Sequence, residues 1–181
     1  MDELKREIVK KLIENGSLKF GEFVLSSGKK SSYYVDVKKS LTDPDFLTLI
    51  SKTMLRLAED CRLNFDKIAC IELGGVPLAV ALSITSNKPY IIFRKKKKEY
   101  GVTSDLIGEI NGERFVVVED VTTTGSSALS VVERVMERGG KVLGVLVVVD
   151  REEGAEDVFK EKGIGFIPCL KASELMKYSK A

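Results

Sequence analysis

Two valine-rich runs constrain the fold of this chain most. Residues 116–118 and 145–149 are apolar without polar alternation. Strands that are covered on both faces have this pattern, and such strands are typical of parallel sheets. A helical pattern over residues 126–138 lies between the two runs and is closed by Gly139 and Gly140, as expected for a helix that connects two parallel strands. The runs therefore predict an α/β fold with a mainly parallel central sheet.

The same alternation extends over the chain from about residue 66, whereas the first 60 residues have a different pattern. A chain of 181 residues is near the usual size of one domain. We therefore expect a single domain over residues 1–181, with an N-terminal part (about 1–60) packed on an α/β core (about 61–181). The predicted elements are helices at 2–14, about 44–59, 76–86 and 126–138, a small antiparallel element within 18–37, and strands at 68–71, 90–93, 115–118 and 142–149.

Residue composition excludes several kinds of chemistry. The chain has no histidine, which excludes Ser-His-Asp and Cys-His catalysis and most imidazole metal sites. Cys61, Cys70 and Cys169 have no paired spacing, which argues against a disulfide framework or a zinc site. Carboxylates, lysines, tyrosines and backbone amides are the chemical groups that remain.

Charge and hydropathy indicate where the protein acts. A net charge of +2 gives no global field that would attract nucleic acid or an anionic membrane. No apolar run approaches the roughly 18 residues of a membrane span, and residues 1–11 form a charged amphipathic pattern rather than a signal peptide. We expect a cytoplasmic protein without a nucleic-acid or membrane partner.

The strongest functional signal follows the first valine run. Glu119 and Asp120 come at the carboxyl end of a predicted strand, where open α/β sheets bind ligands. The hydroxyl-rich turn at residues 121–127 leads into a helix, so its N–H and hydroxyl groups can converge on a phosphate. The carboxylates suit ribose hydroxyls with Mg²⁺ nearby. An ordinary capped turn is the alternative for such a hydroxyl-rich segment alone, but the complete order of residues favours a ribose 5-phosphate site.

This segment resembles the motif with which type I phosphoribosyltransferases bind 5-phosphoribosyl 1-pyrophosphate (PRPP). The shared features are four apolar residues, two acidic residues and a small-residue loop with Thr and Gly. The resemblance implies a parallel sheet flanked by helices, with a variable N-terminal hood, and contacts from Glu119 and Asp120 to the ribose hydroxyls. The residues implied to bind the 5′-phosphate are Val121, Thr122, Thr123, Thr124, Gly125, Ser126 and Ser127.

A basic segment follows the predicted strand at residues 90–93. Residues 94–98 are five consecutive cations; a solvated loop or a nucleic-acid patch are the alternatives for such a run. The segment resembles the Arg-Lys-x-x-Lys-x-(His/Tyr)-Gly stretch of orotate phosphoribosyltransferases, which leads into a catalytic loop that reaches a neighbouring subunit's active site. The resemblance implies PRPP contacts from Arg94, Lys95, Lys98 and Tyr100, and a homodimer with shared sites. It makes Lys98, Lys95 and Asp120 the candidate catalytic residues.

Residues 18–36 resemble the orotate-specific hood motif Phe-x-Leu-x-Ser-Gly-x-x-Ser-x-Tyr. An aromatic-rich hairpin that packs on the core is the alternative, and both interpretations can hold together. The resemblance implies that Ser26, Ser27 and Gly28 contact orotate through the main chain and that Tyr34 offers an aromatic face. It also places Thr123 and Arg151 at orotate, since Arg pairs well with a carboxylate. Many relatives have lysine at the position of Ser26.

Residues 72–78 resemble the pyrophosphate-binding loop of the family. Leu73, Gly74 and Gly75 are the implied contacts, although glycine pairs are common in turns. Bacterial relatives often have lysine at the position of Gly74, so backbone amides would have to replace that lysine here.

The resemblance covers nearly the whole chain and implies one reaction. Orotate and PRPP would give orotidine 5′-monophosphate and pyrophosphate, a step of de novo UMP biosynthesis, with Mg²⁺ as cofactor held mainly by PRPP and no protein ligand assigned to it. One alternative is a phosphoribosyltransferase for a purine or another pyrimidine. A second is a PRPP-sensing regulator that binds nucleic acid through residues 95–98; the lack of a recognisable nucleic-acid-binding module speaks against it.

Overall fold

A computed structural model of the protein describes residues 2–24, 28, 30–95 and 104–178. The N-terminal part contains two longer helices, a hairpin and one short helix, close to the prediction. The hairpin strands pair antiparallel from Leu18 opposite Val35, as a separate two-stranded sheet. The elements are α1 (Asp2–Glu14), β1 (Leu18–Val24), β2 (Lys30–Val35), α2 (Val37–Ser40) and α3 (Pro44–Asp60).

The rest of the chain builds a six-stranded sheet with helices between the strands. The strands lie in the order β5-β4-β3-β6-β7-β8, and only β5 runs antiparallel to its neighbour. The predicted α/β fold with a mainly parallel sheet is therefore confirmed. The elements are β3 (Lys67–Ile71), α4 (Gly75–Ser86), β4 (Tyr90–Phe93), β5 (Leu106–Ile107), β6 (Arg114–Thr122), α5 (Ser126–Glu137), β7 (Lys141–Asp150), α6 (Ala155–Glu161), β8 (Gly165–Lys171), α7 (Ala172–Leu175) and a 3₁₀ turn (Met176–Tyr178).

Strand β6 shows why the valine runs are unbroken. Val116 and Val118 are buried in a cluster with residues of α1, α3 and α4. Phe115 and Val117 are buried on the opposite face with residues of α5 and α6. Because helices cover both faces of the sheet, every residue of the strand's central part is apolar.

The order of the strands predicts where a ligand crevice lies in the sheet. The chain passes from β3 to β4 on one side of β3, and then returns so that β6 lies on the other side and β7 and β8 follow outward. The direction of winding therefore reverses between β3 and β6. In open α/β sheets, ligands bind outside the carboxyl ends of the strands at such a reversal.

Within the described residues, the helices are too short or too polar to cross a membrane.

Candidate active site

Two acidic side chains lie on the last part of β6, at the crevice. β6 continues beyond Val118 and pairs with β7 as far as Thr122, so Glu119 and Asp120 are held on a strand rather than in a loop. Glu119 is 5% exposed and Asp120 8%, and the Asp120 N–H donates to Glu119 Oε1 over 3.2 Å. Burial raises the pKa of Glu119 well above its ordinary value, and the neighbouring Asp120 raises it further. The pair is therefore prepared to receive hydrogen-bond donors or cations.

The turn after β6 depends on one glycine. Gly125 has φ +80° and immediately precedes α5, in the left-handed region that favours glycine. A Cβ on Gly125 would lie 3.0 Å from the Phe159 ring and 3.2 Å from the Ala155 side chain on α6. The turn therefore lies tightly against α6 while Thr123, Thr124 and the two serines stay exposed. A recess of about 30 Å³ at this turn is lined by Glu119, Val121, Thr122, Thr123, Gly125, Ser126, Ser127 and Ala128.

The loop after β3 is tied to the end of β4. The Glu72 N–H donates to the Phe93 carbonyl over 3.1 Å, and Glu72 Oε1 accepts from the Lys95 N–H over 2.8 Å. The peptide bond between Glu72 and Leu73 is cis, and Leu73 is 71% exposed. The first residues of the basic segment are thereby held beside the predicted pyrophosphate loop.

The glycine pair in this loop permits a close approach to β6. A Cβ on Gly75 would lie 3.0 Å from the Val118 carbonyl oxygen, and one on Gly74 would lie 2.4 Å from the carboxyl carbon of Asp120. Side chains at either position would collide with their neighbours. Glycine here therefore brings the loop backbone directly against Val118 and Asp120 of β6.

A cavity of about 250 Å³ is lined by residues of the loop after β3, the start of the basic segment and the end of β6. Seven of its ten lining residues belong to the site predicted from the sequence. Lys38 was not predicted: it comes from the four-residue helix α2 and belongs to none of the motifs discussed above. The lining residues are Lys38, Ile71, Glu72, Leu73, Gly74, Lys95, Glu119, Asp120, Val121 and Ser127.

Lys38 connects the N-terminal part to the acidic pair. Its Nζ lies 3.3 Å from Asp120 Oδ2 and 2.9 Å from Asp36 Oδ1. Partial burial lowers the pKa of Lys38, but the two carboxylates outweigh burial and leave the pKa above its ordinary value. Lys38 therefore remains a cation at the cavity.

The end of β7 joins the same edge of the sheet through Asp150. This carboxylate is 1% exposed, and its Oδ1 accepts from Thr122 Oγ1 over 3.2 Å and from the Glu152 N–H over 3.0 Å. The Arg151 N–H donates to the Thr122 carbonyl over 2.9 Å. Burial raises the pKa of Asp150. Asp150 thus fastens the hydroxyl-rich turn to the segment that carries Arg151, a role that its sequence position did not indicate.

Arg151 faces the hairpin through Tyr33 rather than Tyr34. The Arg151 guanidinium lies 5.4 Å from the centre of the Tyr33 ring, and its Nε lies 3.1 Å from Glu153 Oε1. Tyr33 is the tyrosine that ends the hood motif in this sequence. Tyr34 is 42% exposed and its ring lies 5.8 Å from that of Phe23. Neither Tyr34 nor the exposed Gly28 lines the two cavities described above, so their contacts to orotate stay predictions.

Arg134 on α5 contacts Arg94, the first residue of the basic segment, and Asp105, which lies beyond that segment. It donates to the Arg94 carbonyl and to the Asp105 carbonyl, each over 3.1 Å, and to Asp105 Oδ2 over 2.7 Å. Its guanidinium also lies 4.2 Å from the centre of the Phe93 ring. Ser26, Ser27, Lys98 and Tyr100 lie outside the described residues, and their roles stay predictions.

Metal ligands are limited at this site. In the part of the chain that the structure describes, no group of three or more Asp, Glu or Cys residues could hold a metal ion. Glu119 and Asp120 offer carboxylate oxygens, which hard cations such as Mg²⁺ prefer. The site fits a metal that brings most of its ligands with the substrate, and does not fit a metal held by protein side chains alone.

The fold and the loop that follows β6 define a phosphoribosyltransferase. The family model described as the phosphoribosyl transferase domain matches residues 37–167. An orotate phosphoribosyltransferase of Archaeoglobus fulgidus is 55% identical over 171 residues, which cover 94% of this chain and 90% of that protein. A second one, of Pyrococcus horikoshii, is 47% identical and covers 97% and 95%. The chain belongs to the orotate phosphoribosyltransferase family.

Solved structures agree with this assignment. The crystal structure of orotate phosphoribosyltransferase from Aeropyrum pernix has a TM-score of 0.84 at 30% identity, and the match covers 94% of this chain and 96% of that one. The Mycobacterium tuberculosis enzyme in complex with PRPP has a TM-score of 0.79 at 30% identity, with 96% and 99% covered. The similarity therefore includes nearly the whole of each chain.

Proposed function

We propose that this protein transfers the phosphoribosyl group of PRPP to orotate, which gives orotidine 5′-monophosphate and pyrophosphate in UMP biosynthesis. The observation that carries the proposal is the convergence of the ends of β3, β4 and β6 on a buried acidic pair, in a chain of this family. A cytoplasmic location is part of the proposal, because PRPP is multiply charged and charged groups cross the bilayer at high cost.

The acidic pair and the turn would hold the two ends of ribose 5-phosphate. Glu119 and Asp120 accept hydrogen bonds from the ribose hydroxyls, which favours their ionised forms. The exposed Thr and Ser groups of the turn, with the N–H groups at the start of α5, receive the 5′-phosphate. Because the turn is packed against α6 and bonded to Asp150, the phosphate site is formed before the substrate arrives.

Catalysis would be mainly electrostatic. Departure of pyrophosphate from C1 of the ribose develops negative charge, which Lys95 and Lys98 stabilise, and positioned charges of this kind are among the strongest catalytic effects. The ring nitrogen of orotate is already acidic, so a protein base is not required, consistent with a chain without histidine. When bound, Mg²⁺ neutralises part of the diphosphate charge, and Glu119 and Asp120 are the residues that would lie beside it.

Orotate would lie between the turn after β6 and the hairpin β1–β2. Arg151 is the candidate partner of its carboxylate, since a guanidinium can form two parallel hydrogen bonds with a carboxylate. Tyr33 and Glu153 hold that guanidinium. Ser26, Ser27, Gly28, Tyr34 and Thr123 complete the proposed orotate site.

A homodimer with shared active sites is supported by the surface of α4. This helix is apolar almost throughout, although only one side is buried, and a helix that is apolar all round is normally covered on all sides. Its exposed side includes Ile84, which is 78% exposed. An open apolar groove of about 590 Å³ lies between α3 and α4 and contains Pro44, Leu47, Thr48, Ser51, Val76, Pro77, Val80, Ala81, Ile84 and Thr85. Exposed apolar patches of this kind mark interaction surfaces.

Mixing two inactive variants tests the shared sites. Lys98→Ala removes the proposed loop cation, and Asp120→Asn removes the proposed ribose contact. If each site combines Lys98 of one subunit with Asp120 of the other, a mixed dimer contains one intact site. Subunit exchange between equal amounts of the two variants then restores about a quarter of the wild-type activity, because half of the dimers are mixed. A mixture that stays inactive after exchange, with dimers present, would contradict shared sites.

The reaction itself is tested by its stoichiometry. Purified protein with orotate, PRPP and Mg²⁺ should form orotidine 5′-monophosphate and pyrophosphate in equal amounts, separated by anion-exchange chromatography. Pyrophosphate release that does not depend on orotate would show hydrolysis of PRPP instead and would contradict the proposal.

A further inference from the structure

The cavity at the acidic pair is lined by three acidic and two basic side chains. Its charged lining residues are Glu72, Glu119 and Asp120 on one side and Lys38 and Lys95 on the other. A diphosphate that enters this cavity meets the buried acidic pair and the half-buried Glu72. Its binding therefore depends on the cations that line the same cavity. Lys95 follows β4, whereas Lys38 approaches from the N-terminal part of the chain.

Lys38 has a hydrogen-bond donor available for a ligand. Its ammonium group carries three donors. One donates to Asp120 Oδ2 over 3.3 Å, and Asp36 Oδ1 lies 2.9 Å from Nζ as an ion pair. The side chain is 52% exposed, so the remaining donor is accessible from the cavity. Lys38 can therefore contact an anionic oxygen while it still neutralises Asp120.

The neighbouring loop explains why this cation comes from α2. Asp120 occupies the space above Gly74, where a Cβ would lie 2.4 Å from its carboxyl carbon. A side chain at position 74 could not reach the cavity without moving Asp120. The loop after β3 therefore supplies backbone there, and the two cations that line the cavity, Lys95 and Lys38, come from other elements.

Helix α2 holds Lys38 in a fixed place. Val37, the preceding residue, is fully buried, and Ser40 Oγ donates to Ser17 Oγ over 2.6 Å in the interior. A charge on a fixed element costs little reorganisation when the ligand binds. Lys39, the next residue, is exposed and its Nζ lies beside Gly16 instead.

We propose that Lys38 is a diphosphate-binding residue, which contacts the pyrophosphate group of PRPP and of the released product while it remains paired with Asp120. This inference rests on the proposed function, since it names a further residue for the same site. It assigns to α2 a direct part in substrate binding.

The test is the affinity of the protein for pyrophosphate with Mg²⁺, measured by isothermal titration calorimetry. Lys38→Met should weaken pyrophosphate binding about tenfold, the loss expected when one charge-assisted hydrogen bond disappears. It should weaken ribose 5-phosphate binding much less, because that ligand is affected only through the pairing of Lys38 with Asp120. Lys38→Arg should restore most of the pyrophosphate affinity. Lys39→Met removes the same charge from the same helix and should change the affinity for neither pyrophosphate nor ribose 5-phosphate.

Other outcomes overturn the proposal. If Lys38→Met weakens ribose 5-phosphate and pyrophosphate equally and lowers the melting temperature, Lys38 only fastens α2 to β6. If Lys39→Met weakens pyrophosphate binding as much as Lys38→Met does, the loss comes from the lower positive charge of the helix and not from a contact of Lys38 with the ligand. Failure of the proposed function is separate, because it would appear as wild-type protein that binds pyrophosphate but does not consume orotate.

Discussion

Replacement of Gly125 by alanine tests the architecture of the phosphate turn. Gly125 has φ +80°, and an alanine in this conformation costs about 1–2 kcal/mol. The added Cβ also meets Phe159 at 3.0 Å and Ala155 at 3.2 Å, and overpacking of this kind typically costs a further ~1–3 kcal/mol. We therefore expect a loss of about 2–5 kcal/mol in the free energy of unfolding, obtained by adding these two costs.

Gly139→Ala is the matched control for this prediction. Gly139 has φ +84°, but nothing lies within 4 Å of the position of its Cβ, so only the backbone cost of about 1–2 kcal/mol remains. Urea unfolding should place Gly125→Ala below Gly139→Ala in stability. Because Gly125→Ala must also shift the turn, its KM for PRPP should rise roughly tenfold, while that of Gly139→Ala stays at the wild-type value. Equal stability and equal KM in the two variants would refute the argument.

Three further predictions concern other parts of the molecule. Ellman's reagent should label only the exposed Cys61 quickly in native protein, because burial raises the pKa of the other two thiols to about 12; rapid labelling of three thiols would contradict the described core. Burial and Asp120 raise the pKa of Glu119 above its ordinary 4.5, so its protonated form stabilises the fold fully below that value and this contribution is lost as pH rises through the folded pKa. Urea unfolding from pH 5 to 9 should therefore show Glu119→Gln gaining stability relative to wild type as pH rises, and a constant difference would count against the raised pKa. Arg134→Met should lower the free energy of unfolding by about 2 kcal/mol and reduce orotate turnover, because it removes the hydrogen bonds to Arg94 and Asp105. Arg138→Met leaves the Arg94 contact in place and should cause a smaller loss of stability in thermal unfolding; an equal loss would contradict the anchoring role of Arg134.

Most of the sheet could be predicted from the sequence because its strands are buried on both faces. The continuous valine runs identify β6 and β7, and the change to a helical period identifies α5. The short edge strand β5 has only two residues, and no periodicity can be recognised over such a length. Helix α6 and strand β8 were not predicted either, although β8 pairs with β7 over much of its length; the mixed polar and apolar residues of α6 gave no clear period.

The candidate site could be predicted where one continuous segment carries it. Glu119, Asp120 and the turn that follows them are adjacent in sequence, and the structure places them together at the reversal of the sheet. Lys38 and Asp150 reach the site only through tertiary packing. Lys38 depends on how the N-terminal part packs against β6, and Asp150 depends on the register of β7 with β6, so neither role can be derived from local sequence.

Base selectivity tests the central claim most directly. Ultraviolet absorbance of purified protein with PRPP and Mg²⁺ is followed in parallel with orotate, uracil, adenine and hypoxanthine. The account predicts loss of orotate that requires both PRPP and Mg²⁺, with no turnover of the other three bases. Turnover of another base instead of orotate would contradict the orotate assignment, and no turnover in any mixture, together with salt-dependent binding of nucleic acid, would favour a PRPP-sensing regulator.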